Sequence, residues 1–396
     1  MNRSILEKLK GKRLPYTIFF IALLVRLVHI AEISATRPFY QELYNDAKVA
    51  DQWGREIAAG NILGRGVPEQ DPLYAYFIGL IYSVFGHNIL LVVLIQAFIG
   101  SLSSLLVFYI GKRLFNPATG VIAALLWSFH PVIIFYEGVL MKEGLAVFLM
   151  LLALYTIILA RDTRYYRYWL LGGIFTGLSA LTRGNLLFVI PFIFLWMIGE
   201  CKKDFLKTAA VFLLGLVIVF IPIATRNKIV VGEFALSTSR SGINFYWGNN
   251  ETARGSNFPA PRFIRATSVY ELGDFATEAK RLTGKEMNNS EISKFWFNKG
   301  IDFIFSHPGQ YIRLQYQKLR LLFNNDEISD NYQYSYYRRF SHIVDYSPAN
   351  FLFIASLGLL GMVLSIRNWK GLSLLYIFII SYSLSIIIFF VISRYR

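Results

Sequence analysis

The chain has 396 residues, 55% hydrophobic and only 16% charged, whereas a soluble protein carries about a quarter charged residues. Its 40 basic and 25 acidic side chains give a formal charge of +15; in a soluble protein that excess would point to nucleic acid. Here the basic residues cluster between long apolar runs, which excludes a soluble nucleic-acid binder in favour of a polytopic helical membrane protein, and the single cysteine, Cys201, excludes an internal disulfide and a cysteine zinc site.

In chain order, a basic N-terminus (Arg3, Lys8, Lys10, Lys12, Arg13) precedes the apolar run Leu14–Ala31. That run exceeds a signal-peptide core and contains Arg26, so it reads as an uncleaved first helix. A first outer loop, 32–87, follows. It holds the stretch Tyr44–Ala58 with Asp46, and then Asp71-Pro72, a helix start that opens the apolar, aromatic run Pro72–Phe85. Further apolar stretches are Asn88–Ile110, Ala118–Tyr136, Gly138–Ala160, Tyr168–Leu181, Leu186–Ile198, Thr208–Thr225, Ala349–Ile366 and Gly371–Ser393. The expected fold is therefore an all-α membrane bundle of about nine spans.

Basic connections at Gly111–Asn116, Arg161–Arg167, Glu200–Lys207 and Arg367–Lys370 alternate with the others, which puts the N-terminus in the cytoplasm. Were Pro72–Phe85 a span, Lys112 and Arg113 would fall outside, so it reads as an interfacial helix. Tyr168–Ile198 is too long for one span at roughly 1.5 Å per residue. With basic loops at both ends it must be a hairpin, its apex Thr182-Arg183-Gly184-Asn185 on the outer side. Residues 1–225 form an N-terminal membrane module, 226–347 a large outer loop, and 348–396 the C-terminal helices. The large loop carries Asn244–Asn250, two sequon matches (Asn250-Glu251-Thr252 and Asn288-Asn289-Ser290) and a helix Ser290–Phe323 interrupted at His307-Pro308-Gly309. The histidines have no ligand spacing, and His130-Pro131 reads as a kink. No P-loop, dinucleotide fingerprint or serine elbow occurs.

A charge at the bilayer centre costs about 2.5–3.5 kcal/mol, so charges near it need a reason. Several collect on the outer side: Asp46, Glu137, Lys142, Glu143, Arg183, Arg394 and Arg396. One reading is a site with carboxylates from Asp46 and Glu143 and phosphate-binding cations from Arg183, Lys142, Arg394 and Arg396, because a guanidinium donates two parallel hydrogen bonds. The other reading is structural. Each arginine is then an anchor reaching water, Lys142 and Glu143 form a local ion pair, and Asp46 serves the helix dipole behind Asn45 as N-cap. Arg26 either pairs with a carboxylate or reaches the headgroups.

The order of several segments carries a resemblance. Asn45-Asp46 is followed by Asp71-Pro72-Leu73-Tyr74, Gln96–Gly100, Tyr109–Phe115, Tyr136–Glu143, Gly177–Arg183, Asn244–Asn250 and Ser393-Arg394-Tyr395-Arg396. Together they resemble the integral-membrane GT-C glycosyltransferases that use polyprenyl-phosphate sugars, nearest to the protein mannosyltransferase and aminoarabinose transferase branches. The resemblance implies an inverting hexosyl- or pentosyltransferase; no cofactor is expected, and no metal where arginines hold the leaving phosphate, although two carboxylates could hold one. Its donor is a lipid-linked sugar, its acceptor a hydroxyl of a glycan, lipid or protein, and nucleic acid is no partner. Asp46 matches the first-loop base, Glu143 the second-loop acidic position, and Arg183 a basic residue near the donor phosphate. The setting implied is a bacterial or archaeal cytoplasmic membrane, with the N-terminus inside and the site outside. Two departures stand out: Ala47 follows Asp46 where many relatives have a second acid, and the chain stops at Arg396 where relatives often continue into further helices. The alternative is a transporter or flippase of lipid-linked sugars. Transporters place polar groups at the midplane, and here the expected midplanes are nearly empty.

Overall fold

The computed structural model describes residues 13–36, 43–64, 70–232, 240–265 and 270–396, and every regular element among them is helical. The first half is built from α1 (Leu14–Thr36), α2 (Asn45–Ala58), α3 (Leu73–Phe85), α4 (Ile89–Leu114), α5 (Pro117–Ser128), α6 (Pro131–Glu137), α7 (Glu143–Thr163), α8 (Tyr166–Thr182), α9 (Val189–Cys201) and α10 (Phe205–Val231). Then come α11 (Ser241–Gly248), α12 (Glu271–Thr283), α13 (Asn289–Ser306), α14 (Pro308–Leu322), the single turns α15 (Tyr334–Tyr337) and α16 (His342–Asp345), α17 (Phe351–Ser365) and α18 (Trp369–Ile388). Each of the expected apolar stretches carries a helix. Among the described residues five continuous stretches are long and apolar enough to cross a membrane, or six if the bent pair α5–α6 is one span; two of the five, Gly184–Val230 and Phe351–Ile388, contain two α-helices each.

Starts and stops follow local chemistry. Asn88, Asn116 and Asn350 accept the amides of Leu91, Thr119 and Phe353, and Pro117 occupies the first turn of α5, where no amide is needed. The axis bends by 56° between α5 and α6, at His130-Pro131. The interruption at His307-Pro308 divides α13 from α14. The hairpin is visible in packing: α7 and α8 are antiparallel, with Gly172 on Ile157 and Ser179 Oγ donating to the Ala146 carbonyl at 3.1 Å. By contrast α8 and α10 are parallel, with Gly173 on the Phe212 carbonyl and Gly177 on Val219. Between parallel neighbours the chain must return, and α9 is that return. Small residues let these backbones approach, as is usual where lipid supplies no hydrophobic drive. At the far end, Arg161 donates to the Gly371 carbonyl and Trp196 to Ser373 Oγ, both at 2.9 Å. Thus α18 starts beside the ends of α7 and α9 and delivers residues 389–396 to the opposite end.

Helix α10 runs on through Pro222 to Val231. One expectation changes, because the interior is not free of charge: Arg26, 1% exposed, lies 2.5 Å from Glu137 Oε2, with a second bond to the Ala22 carbonyl at 3.1 Å. Glycines make room for this pair; a Cβ at Gly100 would stand 2.3 Å from the Glu137 carboxylate. Gln96 Nε2 grips the carbonyls of Glu137 and Val139 at 3.1 and 2.8 Å, and its Oε1 accepts Tyr74 OH of α3 at 2.5 Å. This lock fixes the turn 138–142 that leads into α7.

Breaking a buried ion pair from one side leaves an uncompensated charge, at about 3–5 kcal/mol. Arg26→Met is expected to lower thermal stability in detergent by that order, and adding Glu137→Gln is expected to restore most of it. Equal melting of single and double variants would contradict the lock.

Candidate functional site

The α2–α3 pair positions the first carboxylate. Gly54 packs on Ile78 and Gly79 on Ile57, so the two axes cross closely, and Asp51 accepts Tyr82 OH at 2.7 Å. Helix α2 begins at Asn45, with Tyr44 at the N-cap position, so the expected Asn45 cap is not formed; Asn45 instead has φ 44°. Asp46 follows in the first turn and points across the end of the bundle. Its Oδ1 accepts Gln70 Nε2 at 2.9 Å; its Oδ2 accepts Asn331 Nδ2 at 2.6 Å and Arg394 Nη2 at 3.0 Å.

Glu143 opens α7, and Arg183 stands where α8 gives way to a short 3₁₀ turn. Glu143 Oε1 accepts Arg183 Nη2 at 2.5 Å and Arg394 Nη1 at 3.3 Å. Arg394 also lies 2.5 Å from Asp330 Oδ2, whose other oxygen accepts Asn257 Nδ2 at 2.9 Å. Tyr395 packs its ring against both guanidiniums, 4.4 Å from Arg183 and 5.3 Å from Arg394. The structure thus brings Asp46, Glu143, Arg183 and Arg394 into one cluster. Lys142 lies at its edge and bonds Asp71 Oδ2 at 2.7 Å, so the expected local Lys142–Glu143 pair is not formed. Arg396 is elsewhere: it donates to the carbonyls of Leu321, Asn324 and Asp326 and lies 3.4 Å from Glu327. It anchors the tail rather than joining the cluster. Sequence reasoning missed Asp330, Asn331, Gln70 and Asp71 as members; the density of Asn and Asp in 324–331 was the available signal.

The tail holding Arg394 is fastened by the region between α10 and α17. Val391 N donates to the Gly255 carbonyl at 2.8 Å, and Asn249 Nδ2 to the Ile388 carbonyl at 2.8 Å, while Lys318 Nζ holds Asn249 Oδ1 at 2.9 Å. Gly248 meets the Phe389 backbone, where a side chain would collide. That region has its own aromatic core around Phe275 and Trp296.

Two spaces meet at the cluster. A cavity of about 750 Å³ is lined by Asp46, Arg183, Asp330 and Arg394 and by Asn244, Trp247 and Phe258 of the region between α10 and α17. A smaller space of about 270 Å³ is lined by Trp127, Val132, Ile133, Val147 and Met150, and it shares Arg183, Arg394 and Tyr395 with the first. Among the described residues no group of three or more His, Cys, Asp or Glu is arranged to hold a metal. Here the carboxylates face guanidiniums.

Burial opposes ionisation of Asp46, but Arg394, the Asn331 hydrogen bond and Lys142 outweigh it and hold the carboxyl below its ordinary value. A lowered carboxyl contributes stability that is complete above the unfolded value, about 3.9, and lost as pH falls through the folded value. The melting difference between wild type and Asp46→Asn is therefore expected to stay constant from neutral pH to about 5 and to shrink only below about 4. A difference that already vanishes between neutrality and about pH 5 would contradict the Arg394 clamp.

No curated protein matches the chain. Residues 68–226, under half of the chain, match the family model described as dolichyl-phosphate-mannose-protein mannosyltransferase. That segment carries Lys142, Glu143 and Arg183, and the match, to a family of GT-C type, bears out the resemblance to GT-C glycosyltransferases.

Proposed function

We propose that this protein transfers one sugar from a polyprenyl-phosphate donor to an acceptor hydroxyl, with inversion, and that Asp46 is the general base. The observation that carries this reading is the position of the Arg183–Arg394 pair, between an apolar groove and a polar cavity. A lipid phosphate needs that combination: hydrocarbon for its tail, guanidiniums for its phosphate and a wet space for its sugar.

In this reading the tail lies along Ile133, Val147 and Met150, the phosphate sits on Arg183 and Arg394, and the sugar projects into the larger cavity. The acceptor oxygen attacks the anomeric carbon from the Asp46 side while the carbon–phosphate oxygen bond breaks on the opposite side. Asp46 takes the hydroxyl proton, and the electron pair leaves on the phosphate, where the arginines stabilise the growing charge. In the ligand-free arrangement Arg394 holds Asp46 in a weakly basic state. A phosphate that draws the guanidinium away makes Asp46 a better base at the moment it is needed. The site lies at the end of the bundle opposite Arg113–Asp162 and Arg164–Glu200. With basic connections inside, that end faces outward.

The test supplies proteoliposomes with radiolabelled polyprenyl-phosphate hexoses and pentoses and with cell-envelope acceptors. Wild type is expected to transfer label, and a folded Asp46→Asn variant to lose about a hundred- to ten-thousandfold, the usual worth of a general base. Arg183→Ala is expected to cost roughly a hundred- to a thousandfold in turnover. Undiminished transfer by Asp46→Asn would move the base elsewhere. Movement of lipid-linked sugar across the bilayer, without transfer, would favour a flippase.

A further inference from the structure

Three carboxylates, Asp46, Glu143 and Asp330, face two guanidiniums, Arg183 and Arg394. The next cation, Lys142, is engaged by Asp71. Among the described residues, with every group ionised, the cluster is one positive charge short before any ligand arrives. A phosphodiester would add another negative charge in a partly desolvated place, where like charges are costly. A bound proton is the direct way to balance it.

The geometry indicates which carboxylate takes that proton. Glu143 holds two arginine contacts on one oxygen. Asp46 has Arg394 and two amide donors, Gln70 and Asn331. Asp330 has one guanidinium contact and one amide, and it shares Arg394 Nη2 with Asp46. If a phosphate takes up the Arg394 fork, Asp330 loses most. We propose that Asp330 is a further residue of the phosphate site and acts there as a neutral acid, carrying a proton when the donor is bound and donating it as a hydrogen bond to a phosphate oxygen. The inference rests on the polyprenyl-phosphate reading above. The titratable and charged groups facing Asp330 are Asp46, Tyr136, Glu143, Arg183, Arg394 and Tyr395. Burial raises the Asp330 carboxyl above its ordinary value, Arg394 opposes this, and Asp46 and Glu143 reinforce it.

Binding then takes up a proton, so affinity falls as pH rises past the ligand-free value of Asp330, by up to roughly tenfold per pH unit for one linked proton. The experiment measures binding of radiolabelled undecaprenyl methyl phosphate to the full chain in nanodiscs between about pH 5 and 9; as a diester, this probe does not itself titrate there. Wild type is expected to weaken as pH rises. Asp330→Asn, an amide that imitates the neutral acid, is expected to bind with little pH dependence and more tightly than wild type at the alkaline end. Asp330→Glu is expected to keep the slope. An unchanged slope in Asp330→Asn, or lost binding in an Asp330→Asn protein that melts like wild type, would overturn the inference. If Asp330→Asn does not fold, the glutamate variant decides: a retained slope supports the inference and a flat profile overturns it. Wild type that binds equally at every pH removes the Asp330 role alone. Wild type that binds no polyprenyl phosphate at any pH removes the donor reading itself.

Discussion

Arg394 is the interaction on which the site depends. One guanidinium touches Asp46 from the first loop, Glu143 from the start of α7 and Asp330 from the loop after α14. Those residues lie far apart in the chain, and the arginine itself comes from the segment after α18. A guanidinium can do this because its planar fork carries five donors at fixed angles and stays charged. A lysine would provide one charged centre on a flexible stem and could not span the same three acceptors. Such a network is costly when half satisfied and rigid when complete, which is why the surrounding fold is largely a device for aiming it.

Two supports do the aiming. From inside the bundle, the Arg26–Glu137 pair and Gln96 hold the turn that presents Lys142 and Glu143. Glycines at 100 and 144 leave space for the Glu137 carboxylate; bulkier residues there would push it out of reach of Arg26. From outside the bundle, Asn249, Gly255 and the carbonyls that receive Arg396 hold the tail. The region between α10 and α17 is therefore coupled to the cluster through Arg394, besides forming the wall of the larger cavity with Trp247 and Phe258.

The parts legible in the sequence are those where placement carries a physical cost. The α8–α9 hairpin followed from basic loops flanking a stretch too long for one crossing, and the parallel packing of α8 and α10 agrees with it. Asp46, Glu143, Arg183 and Arg394 stood out because charges are expensive beside hydrocarbon, and the structure places all of them in one cluster. Asp330 did not stand out for the converse reason: in a polar loop one more aspartate carries no penalty, so the density of Asn and Asp in 324–331 marks the segment without singling out the residue. The partners of Lys142 and Glu143 were also hidden, because adjacency in sequence at a helix start does not put two side chains on the same face. Arg26 and Glu137 are 111 positions apart, and nothing local to either names the other. Arg396 looked like Arg394, yet Ser393–Tyr395 forms a 3₁₀ turn, and at about three residues per turn side chains two positions apart point to different sides.

The most direct test of the account is a structure of the full chain in nanodiscs with a non-transferable polyprenyl phosphodiester bound. The expected result places the phosphate between Arg183 and Arg394, its hydrocarbon along Ile133 and Met150, with Arg394 withdrawn from Asp46. A phosphate seated elsewhere, with Arg394 still bridging Asp46 and Glu143, would contradict the account.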